Sequence, residues 1–357
     1  MKNTFAVIGA GNGGQAMAAH LTLQGYTVYL YDVDRKKIAY LRQKGTITAS
    51  GAVEGTAEIA VITDDLSEAV EDCAAIFVVT TTDQHAALSR ELLAYVQEDQ
   101  VVVLCPGQTG GAIIVHNVFC GGGKQIAVAE TQDLIYTCRS SEPGYVSVSA
   151  IKKKMDLAAY SKDDCDRVMA VIGELYPQLH RARSVLHTGF DNMGAILHPA
   201  PMLLNAGRIE SGEEFLYYRE GITPSVAAVL EKMDAERIAV AQAYEVEATS
   251  VAQWQRDAYG VEGGSLYELF QNNPSYAAVK ASKTLNSRFV TEDVPGGLVP
   301  IAELGKLANV PTPVIDSVID LASCLQGRNF RANGRNLECL GLEGKSVSEI
   351  KEFFYKN

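Results

Sequence analysis

The sequence predicts an α/β protein in which an N-terminal doubly wound parallel sheet is followed by an all-helical domain. Short apolar strands alternate with helical segments in the first half of the chain, and a glycine-rich turn joins the first strand to the first helix. After about residue 184 only helical patterns follow. Because 357 residues exceed what one hydrophobic core usually organises, we divide the chain into domains 1–183 and 184–357.

The N-terminal elements follow one another in the order of a βαβ unit. Residues 5–8 predict a strand, residues 15–24 predict a helix that ends at Gly25, and residues 27–31 predict a second strand. Four further strands are predicted at 59–62, 75–79, 101–104 and 126–129, and three further helices at 35–44, 84–96 and 112–119. Strands that are continuously apolar, rather than alternating, predict a parallel sheet covered on both faces.

The turn after the first strand has the spacing GxGxxG, and it lies where that motif works. Gly9 permits the tight turn, Gly11 lets backbone approach a pyrophosphate, and Gly14 lets the helix pack on the strand. Asn12 and Gly13 complete the turn, and the following helix N-terminus offers N–H donors to phosphate. The segment therefore predicts a Rossmann domain that binds a dinucleotide.

Asp32 ends the second predicted strand, roughly 20 residues beyond the last glycine, as expected of the acidic residue that binds the adenosine ribose. A carboxylate there accepts ribose hydroxyls and repels a 2′-phosphate, which favours NAD over NADP. The bases Arg35, Lys36 and Lys37 close behind it are the counter-argument, although such residues are typical of a solvated helix start.

A second glycine-rich turn, residues 106–111, follows the strand at 101–104 at the edge of the sheet where ligands bind in open α/β folds. We interpret Pro106 and Gly107 as lining the nicotinamide side of the cofactor cleft. The alternative is an ordinary glycine-rich connection between strand and helix.

The C-terminal half begins its helices with recognisable signals. Thr223 before Pro224 and Thr312 before Pro313 each place a capping residue ahead of a first-turn proline. Ser346 with Glu349 forms a capping box for the last helix.

Two segments of this half carry candidate chemistry. His187 and His198 are about three turns apart, so they share a face if one helix spans them. Each histidine can equally serve as a helix-end residue. Arg288 and the adjacent acids Glu292 and Asp293 form the second segment, for which a surface loop with a local ion pair is the alternative.

The composition limits the possible partners and compartment. Asp and Glu outnumber Lys and Arg by 43 to 31, a formal net charge of −12 that opposes binding to nucleic acid and to anionic membranes. The seven cysteines are scattered without metal-ligand spacing, which predicts a reduced cytoplasmic protein with no metal site. No apolar run is long enough to cross a bilayer.

Taken together, these segments resemble the opine dehydrogenases of the octopine and nopaline dehydrogenase type, and especially the bacterial members that act on N-(1-D-carboxyethyl)-L-norvaline. The likeness extends over essentially the whole chain. The segments that carry it are 9–14, 106–111, 198–199 with 203–205, 220–225, and 292–293 with 297–300.

The resemblance implies a reductive condensation of an amino acid amine with a 2-oxo acid, usually pyruvate, by NADH or NADPH in a homodimer. It further implies that His198 is the general acid-base, Asp293 its partner and Arg288 a ligand of a substrate carboxylate. Glu292 stands beside Asp293, so the carboxylate that faces the imidazole stays open between them. The amino acid used, the physiological direction and the product stereochemistry also stay open.

Other readings share part of this pattern. Ketopantoate reductases and glycerol-phosphate dehydrogenases rely on a lysine early in the helical domain, whereas this chain has no lysine between Lys162 and Lys232. A 2-oxo acid reductase that forms a hydroxy acid would use the same histidine, aspartate and arginine without an amine. A non-catalytic NAD-bound sensor would need the glycines and Asp32 but no acid-base pair.

Overall fold

The computed structural model describes residues 3–356, which form two compact units. The first comprises residues 3–188 and the second residues 189–356. The sequence predicts a boundary after residue 183, a few residues earlier, because its helical pattern begins before the helix Val185–Phe190 that crosses the division.

Within the described residues, the first unit contains twelve strands and six α-helices, followed by the helix that crosses the division. The strands are β1 (Thr4–Ile8), β2 (Thr27–Tyr31), β3 (Thr46–Gly51), β4 (Gly55–Glu58), β5 (Val61–Thr63), β6 (Ala75–Val78), β7 (Val101–Leu104), β8 (Ala127–Thr131), β9 (Tyr136–Glu142), β10 (Tyr145–Ile151), β11 (Met155–Ala159) and β12 (Leu179–Arg181). The helices are α1 (Asn12–Leu23), α2 (Arg35–Lys44), α3 (Leu66–Val70), α4 (His85–Leu92), α5 (Gly111–Gly121), α6 (Lys162–Ile172) and the crossing helix α7 (Val185–Phe190).

Eight strands form the main sheet, in the order β12-β11-β8-β7-β6-β1-β2-β5. The six from β8 to β5 are parallel, and the central strands β6, β7 and β8 are buried along their whole length, as their apolar runs predict. The prediction of a doubly wound sheet is confirmed for this part. At the edge of the sheet, β11, a strand that was not predicted, pairs antiparallel with β8.

A second sheet, in the order β4-β3-β10-β9, packs against α1 and was not predicted. Its strands β3 and β10 alternate buried and exposed residues, so they lack the continuous apolar runs by which the other strands are recognised. The predicted strand at 59–62 is correspondingly wrong in its bounds, because β4 ends and β5 begins on either side of residues 59 and 60.

The regular secondary structure of the second unit is helical within its described residues, apart from an isolated β-bridge between Leu216 and Lys280, and the unit has its own apolar core. Its helices are α8 (Met193–Leu197), α9 (Pro199–Leu204), α10 (Ala206–Glu210), α11 (Pro224–Ala243), α12 (Val251–Tyr259), α13 (Leu266–Asn272), α14 (Arg288–Thr291), α15 (Val299–Leu307), α16 (Pro313–Gln326), α17 (Phe330–Asn333) and α18 (Val347–Lys356). A π-helical turn, Val294–Leu298, leads into α15.

The predicted helix starts lie where the capping residues place them. Thr223 accepts the amide of Val226 at the start of α11, and Ser346 and Glu349 exchange hydrogen bonds ahead of α18. Helix α16 begins at Pro313 as predicted, but the hydroxyl of Thr312 contacts Asp316 rather than capping a backbone amide.

No single helix spans His187 and His198, so the condition under which they would share a face is not met. The side chain of Asn192 accepts the amide of Ala195 and so begins a new helix, and Pro199, which has no N–H, begins another directly after His198. His187 lies in α7 of the first unit, where its Nε2 is 3.8 Å from Asp156.

None of the helices found in residues 3–356 combines the length and the apolar character that a bilayer crossing needs.

Candidate active site and cofactor site

The glycine turn between β1 and α1 is held by close backbone packing. Gly9 has φ of +109°, and a Cβ on it would lie 2.6 Å from the carbonyl oxygen of Val79. A Cβ on Gly14 would lie 1.6 Å from the carbonyl oxygen of Gly9, and one on Gly13 would lie 3.0 Å from the side chains of Leu134 and Val79. At these three positions a larger side chain would collide with neighbouring atoms, so glycine is required by the close packing of the turn.

Gly11 differs from its neighbours because a Cβ on it would meet nothing within 4 Å. It stands at the N-cap of α1, and no side chain among the described residues caps this helix. The open space lies beside amides that carry the partial positive charge of the helix N-terminus. This combination fits the pyrophosphate of a dinucleotide.

The side chain of Asn12 is occupied by structure. Its Oδ1 accepts the amide of Ser140 at 3.0 Å and so ties the start of α1 to β9 of the second sheet. Nearby, Oε1 of Gln15 accepts the amide of Gly144. Asn12 therefore uses its side chain to hold the second sheet, and its backbone amide belongs to the first turn of α1.

Asp32 follows β2 directly, and its carboxylate is held in place. Oδ2 accepts the amide of Ala10 at 2.7 Å, and Oδ1 accepts the amide of Asp34 at 2.9 Å. The Nζ of Lys37 lies 2.9 Å from Oδ2. The expectation that residues 35–37 merely begin a solvated helix is thus wrong for Lys37, which forms an ion pair with Asp32.

The second glycine turn rests on a buried carboxylate that sequence reasoning missed. A Cβ on Gly107, the residue after Pro106, would lie 2.2 Å from Oε2 of Glu130. The same oxygen accepts the amide of Ala112 at 2.8 Å, and Oε1 accepts the hydroxyl of Thr188 at 2.7 Å. Glu130 thereby fixes the turn and the start of α5.

In the second unit, His198 and Asp293 come together although they are 95 residues apart in sequence, with Nδ1 2.8 Å from Oδ2. The imidazole is 19% exposed and the carboxylate 4% exposed. Since an ionised carboxylate only accepts, it orients the ring with Nδ1–H towards itself and leaves Nε2 with its lone pair. Gly194 permits this approach, because a Cβ there would lie 3.2 Å from Oδ1 of Asp293.

Two aromatic residues complete the surroundings of His198, and neither was predicted. The ring of Phe289 stacks on the imidazole with centroids 3.9 Å apart and planes 8° apart. The hydroxyl of Tyr217 donates to the carbonyl of His198 at 2.6 Å. Burial raises the pKa of Tyr217 well above its ordinary value, so this phenol stays a neutral donor.

Arg288 and Glu292 lie at the edge of the same segment. The Arg288 side chain is 64% exposed, and its Nη1 is 3.8 Å from Oε2 of Glu292. Asp293, rather than Glu292, contacts the imidazole, which decides the alternative that the sequence left open. An exposed guanidinium loosely paired with a carboxylate is available to an anionic ligand.

Arg237 and Asp234 of α11 form a buried charge cluster with Asp191, which no sequence pattern indicated. The guanidinium of Arg237 pairs with Asp234 at 2.6 Å and with Asp191 at 3.5 Å, and donates to the carbonyl of Thr249. The two carboxylates also accept the amides of Thr249 and Val251. The cluster thus fixes the chain at Asp191, directly before the turn that begins α8.

Both units of the chain match known protein families. Residues 4–108 match the NAD binding domain of 6-phosphogluconate dehydrogenase, and residues 181–326 match the NAD/NADP octopine/nopaline dehydrogenase, alpha-helical domain. An opine dehydrogenase of Arthrobacter sp. (strain 1C) is 43% identical over 98% of each chain.

Solved structures give the same architecture at lower identity. Octopine dehydrogenase with NADH and L-arginine has a TM-score of 0.80 at 19% identity, covering 99% of this chain and 98% of that one. Yersinopine dehydrogenase with NADP⁺ bound has a TM-score of 0.75 at 17% identity, covering 100% of this chain and 99% of that one.

A glycine turn built for a dinucleotide and a histidine–aspartate pair in a helical unit define the class of NAD-dependent dehydrogenases. More particularly, the chain belongs to the opine dehydrogenase family. It is an NAD(P)-dependent oxidoreductase that acts on the CH–NH group, and its reaction is the reductive condensation of an amino acid with a 2-oxo acid.

Proposed function

We propose that the chain condenses pyruvate with the amine of a neutral L-amino acid, with NADH as the preferred reductant and His198 as the general acid-base. The observation that carries the proposal is the contact of 2.8 Å between Nδ1 of His198 and Asp293, within a chain of this family. Solved octopine dehydrogenase complexes that contain pyruvate or L-arginine support a 2-oxo acid and an L-amino acid as the two substrate classes.

His198 is suited to move protons at the reacting nitrogen and oxygen. Joining the ammonium group of an amino acid to a 2-oxo acid expels one water, so two protons must leave the nitrogen and two must reach the departing oxygen before the protonated C=N bond is reduced. With Nδ1–H directed to Asp293, Nε2 of His198 is the atom that accepts and returns these protons. Asp293 stabilises the imidazolium while the proton is held. NADH, when bound, supplies the hydride that reduces the C=N bond.

Arg288 is proposed to bind a substrate carboxylate. Both substrates carry a carboxylate group at neutral pH, and the formal net charge of −12 disfavours that group, so local donors must hold it. The exposed guanidinium offers two parallel N–H donors on the helix α14 that also carries Phe289.

The cofactor would be held by the first unit. The amides at the start of α1, beside the open space at Gly11, would bind the pyrophosphate, and Asp32 would accept ribose hydroxyls. Pro106 and Gly107, fixed on Glu130, would line the nicotinamide side. The Asp32 carboxylate is the basis for preferring NADH over NADPH.

We also propose that the protein works as a homodimer in the cytoplasm. The seven cysteines are all free thiols, three of them exposed, which suits a reducing compartment. The homodimer follows from the family resemblance. Light scattering coupled to size exclusion tests it, and a monomeric mass at the enzyme's working concentration would overturn it.

The decisive experiment is NADH oxidation with pyruvate across a panel of neutral L-amino acids that includes L-norvaline. Little oxidation is expected with pyruvate alone, and much more with a suitable amine, with the N-(1-carboxyethyl) amino acid as the product by mass spectrometry. Equal turnover without any amine would identify a 2-oxo acid reductase instead.

A further inference from the structure

The three bases at the start of α2 differ in what they contact. Lys37 lies against Asp32, with Nζ 2.9 Å from Oδ2 and a side chain only 26% exposed. Arg35 is 87% exposed and pairs instead with Asp64 at 3.3 Å. Lys36 is exposed as well. Of the three, Lys37 alone has its charge directed at the carboxylate that is proposed to receive the ribose.

The backbone of Lys37 is held by a helix cap in addition to the contact with Asp32. Helix α2 is capped by Asp34, whose Oδ1 accepts the amides of both Lys36 and Lys37. Removal of the Asp32 side chain takes away the acceptor of the Asp34 amide, but it leaves the Asp34 cap on the backbone of Lys37 and frees the Lys37 ammonium group. A helix C-cap at Gly45 closes the other end of α2.

We propose that Lys37 is a latent 2′-phosphate ligand which Asp32 neutralises, so that the ion pair between them sets the cofactor preference. The proposal rests on the proposed role of Asp32. An acidic residue after the second strand of a Rossmann domain accepts a hydrogen bond from the 2′-hydroxyl in NAD-binding proteins, whereas a nearby cationic side chain donates to the 2′-phosphate in NADP-binding ones. Here both groups are present, and they form an ion pair with each other.

Each single change has a distinct consequence. Loss of Asp32 removes the repulsion of a 2′-phosphate and leaves the Lys37 ammonium without its partner, so affinity for NADP⁺ should rise. Loss of Lys37 leaves the Asp32 carboxylate uncompensated, so NADP⁺ should bind more weakly than to the wild type. Loss of both removes the attraction together with the repulsion, so the gain should disappear.

The test measures binding of NAD⁺ and NADP⁺ by isothermal titration calorimetry to the wild type, D32A, K37M and D32A/K37M. D32A/K36M serves as the matched control, since it removes a neighbouring lysine that makes no contact with Asp32. We expect D32A to bind NADP⁺ at least about tenfold more tightly than the wild type does, the scale of one charge-assisted hydrogen bond. D32A/K36M should keep this gain, D32A/K37M should lose it, and added salt should weaken the gain in D32A.

Equal NADP⁺ affinity of D32A and D32A/K37M would overturn the proposal, as would a D32A protein with no gain. These outcomes are separable from a failure of the proposed function, because wild-type binding of NAD⁺ reports on the cofactor site itself. If the wild type bound NADP⁺ as tightly as NAD⁺, the proposed preference for NADH would fall and the ion pair would not set it.

Discussion

The rings of His198 and Phe289 lie face to face, with centroids 3.9 Å apart and planes 8° apart. Asp293 contacts Nδ1 of the same imidazole. The stacking therefore fixes the plane of the ring, and the hydrogen bond fixes how the ring is turned within that plane. A histidine that only ended a helix would need neither contact. The arrangement leaves Nε2 of His198 as the ring nitrogen that is available for proton transfer.

Replacement of His198 by Gln should lower kcat at least about 100-fold, the usual scale for losing a positioned general acid-base. Affinity for NADH should change little, because the glycine turn and Asp32 belong to the first unit. Steady-state kinetics and NADH titration measure the two effects. His187→Gln is the control histidine, and near-normal turnover of a folded His198→Gln protein would contradict the assignment.

Asp293→Asn and Glu292→Gln should differ, although the two acids are neighbours. Asp293 contacts the imidazole at 2.8 Å, so its amide variant loses the charge that orients the ring and stabilises the imidazolium. We expect kcat to fall at least about tenfold for Asp293→Asn, as for other partners that orient a functional histidine, and much less for Glu292→Gln. A larger effect of Glu292→Gln would reverse the assignment of the two carboxylates.

Arg288→Ala should act mainly on substrate binding. Its loss removes a pair of donors for a carboxylate and leaves the proton-transfer group intact, so KM should rise more than kcat falls. Initial rates over a range of pyruvate and amino acid concentrations measure both constants. Arg208→Ala is the matched control, because Arg208 is also a surface arginine but pairs with Glu213 at 2.7 Å. Unchanged KM values for both substrates would argue against a role for Arg288 in binding.

Gly11→Ala and Gly14→Ala should fail for different reasons. A methyl group on Gly11 enters open space, so the variant should fold normally and lose NAD⁺ affinity, because the methyl occupies the proposed phosphate position. A methyl group on Gly14 would lie 1.6 Å from a backbone oxygen, so that variant should lose stability. Thermal unfolding without cofactor and calorimetric NAD⁺ titration distinguish the two effects. A Gly11→Ala protein with normal NAD⁺ affinity would refute the phosphate site.

The features that could be predicted from sequence are those encoded by neighbouring residues. One turn is identified by Gly9, Gly11 and Gly14, and one helix start by Thr223 with Pro224. Each of these signals depends on residues only a few positions apart. The pair of His198 and Asp293 depends on residues 95 positions apart, and only the family resemblance suggested it.

The remaining features depend on packing that has no local pattern. Phe289 and Tyr217 look like any core aromatic residues until the chain brings them to His198. Lys37 reads as a solvated base until its contact with Asp32 is seen. Strands β3 and β10 of the second sheet bury only alternate residues, so they do not show the apolar runs that identify the central strands.

Arg237→Met tests the buried charge cluster of the second unit. The substitution keeps much of the side-chain volume but leaves Asp234 and Asp191 buried without their cation, although each still accepts a backbone amide. Breaking a buried ion pair in this way typically costs about 3–5 kcal/mol, whereas loss of an exposed pair costs about 0–1 kcal/mol. Arg208→Met, which removes the exposed pair with Glu213, is therefore the matched control.

Urea unfolding can be followed separately in this unit because the chain has a single tryptophan, Trp254, in α12. The fluorescence transition of Arg237→Met should move to clearly lower urea than that of the wild type, and the transition of Arg208→Met should hardly move. Since the cluster fixes the chain before α8, any Arg237→Met protein that stays folded should also turn over more slowly while binding NAD⁺ normally. An unfolding midpoint at the same urea concentration as that of the wild type would mean that the cluster contributes no net stability and that its charges are dispensable to the fold.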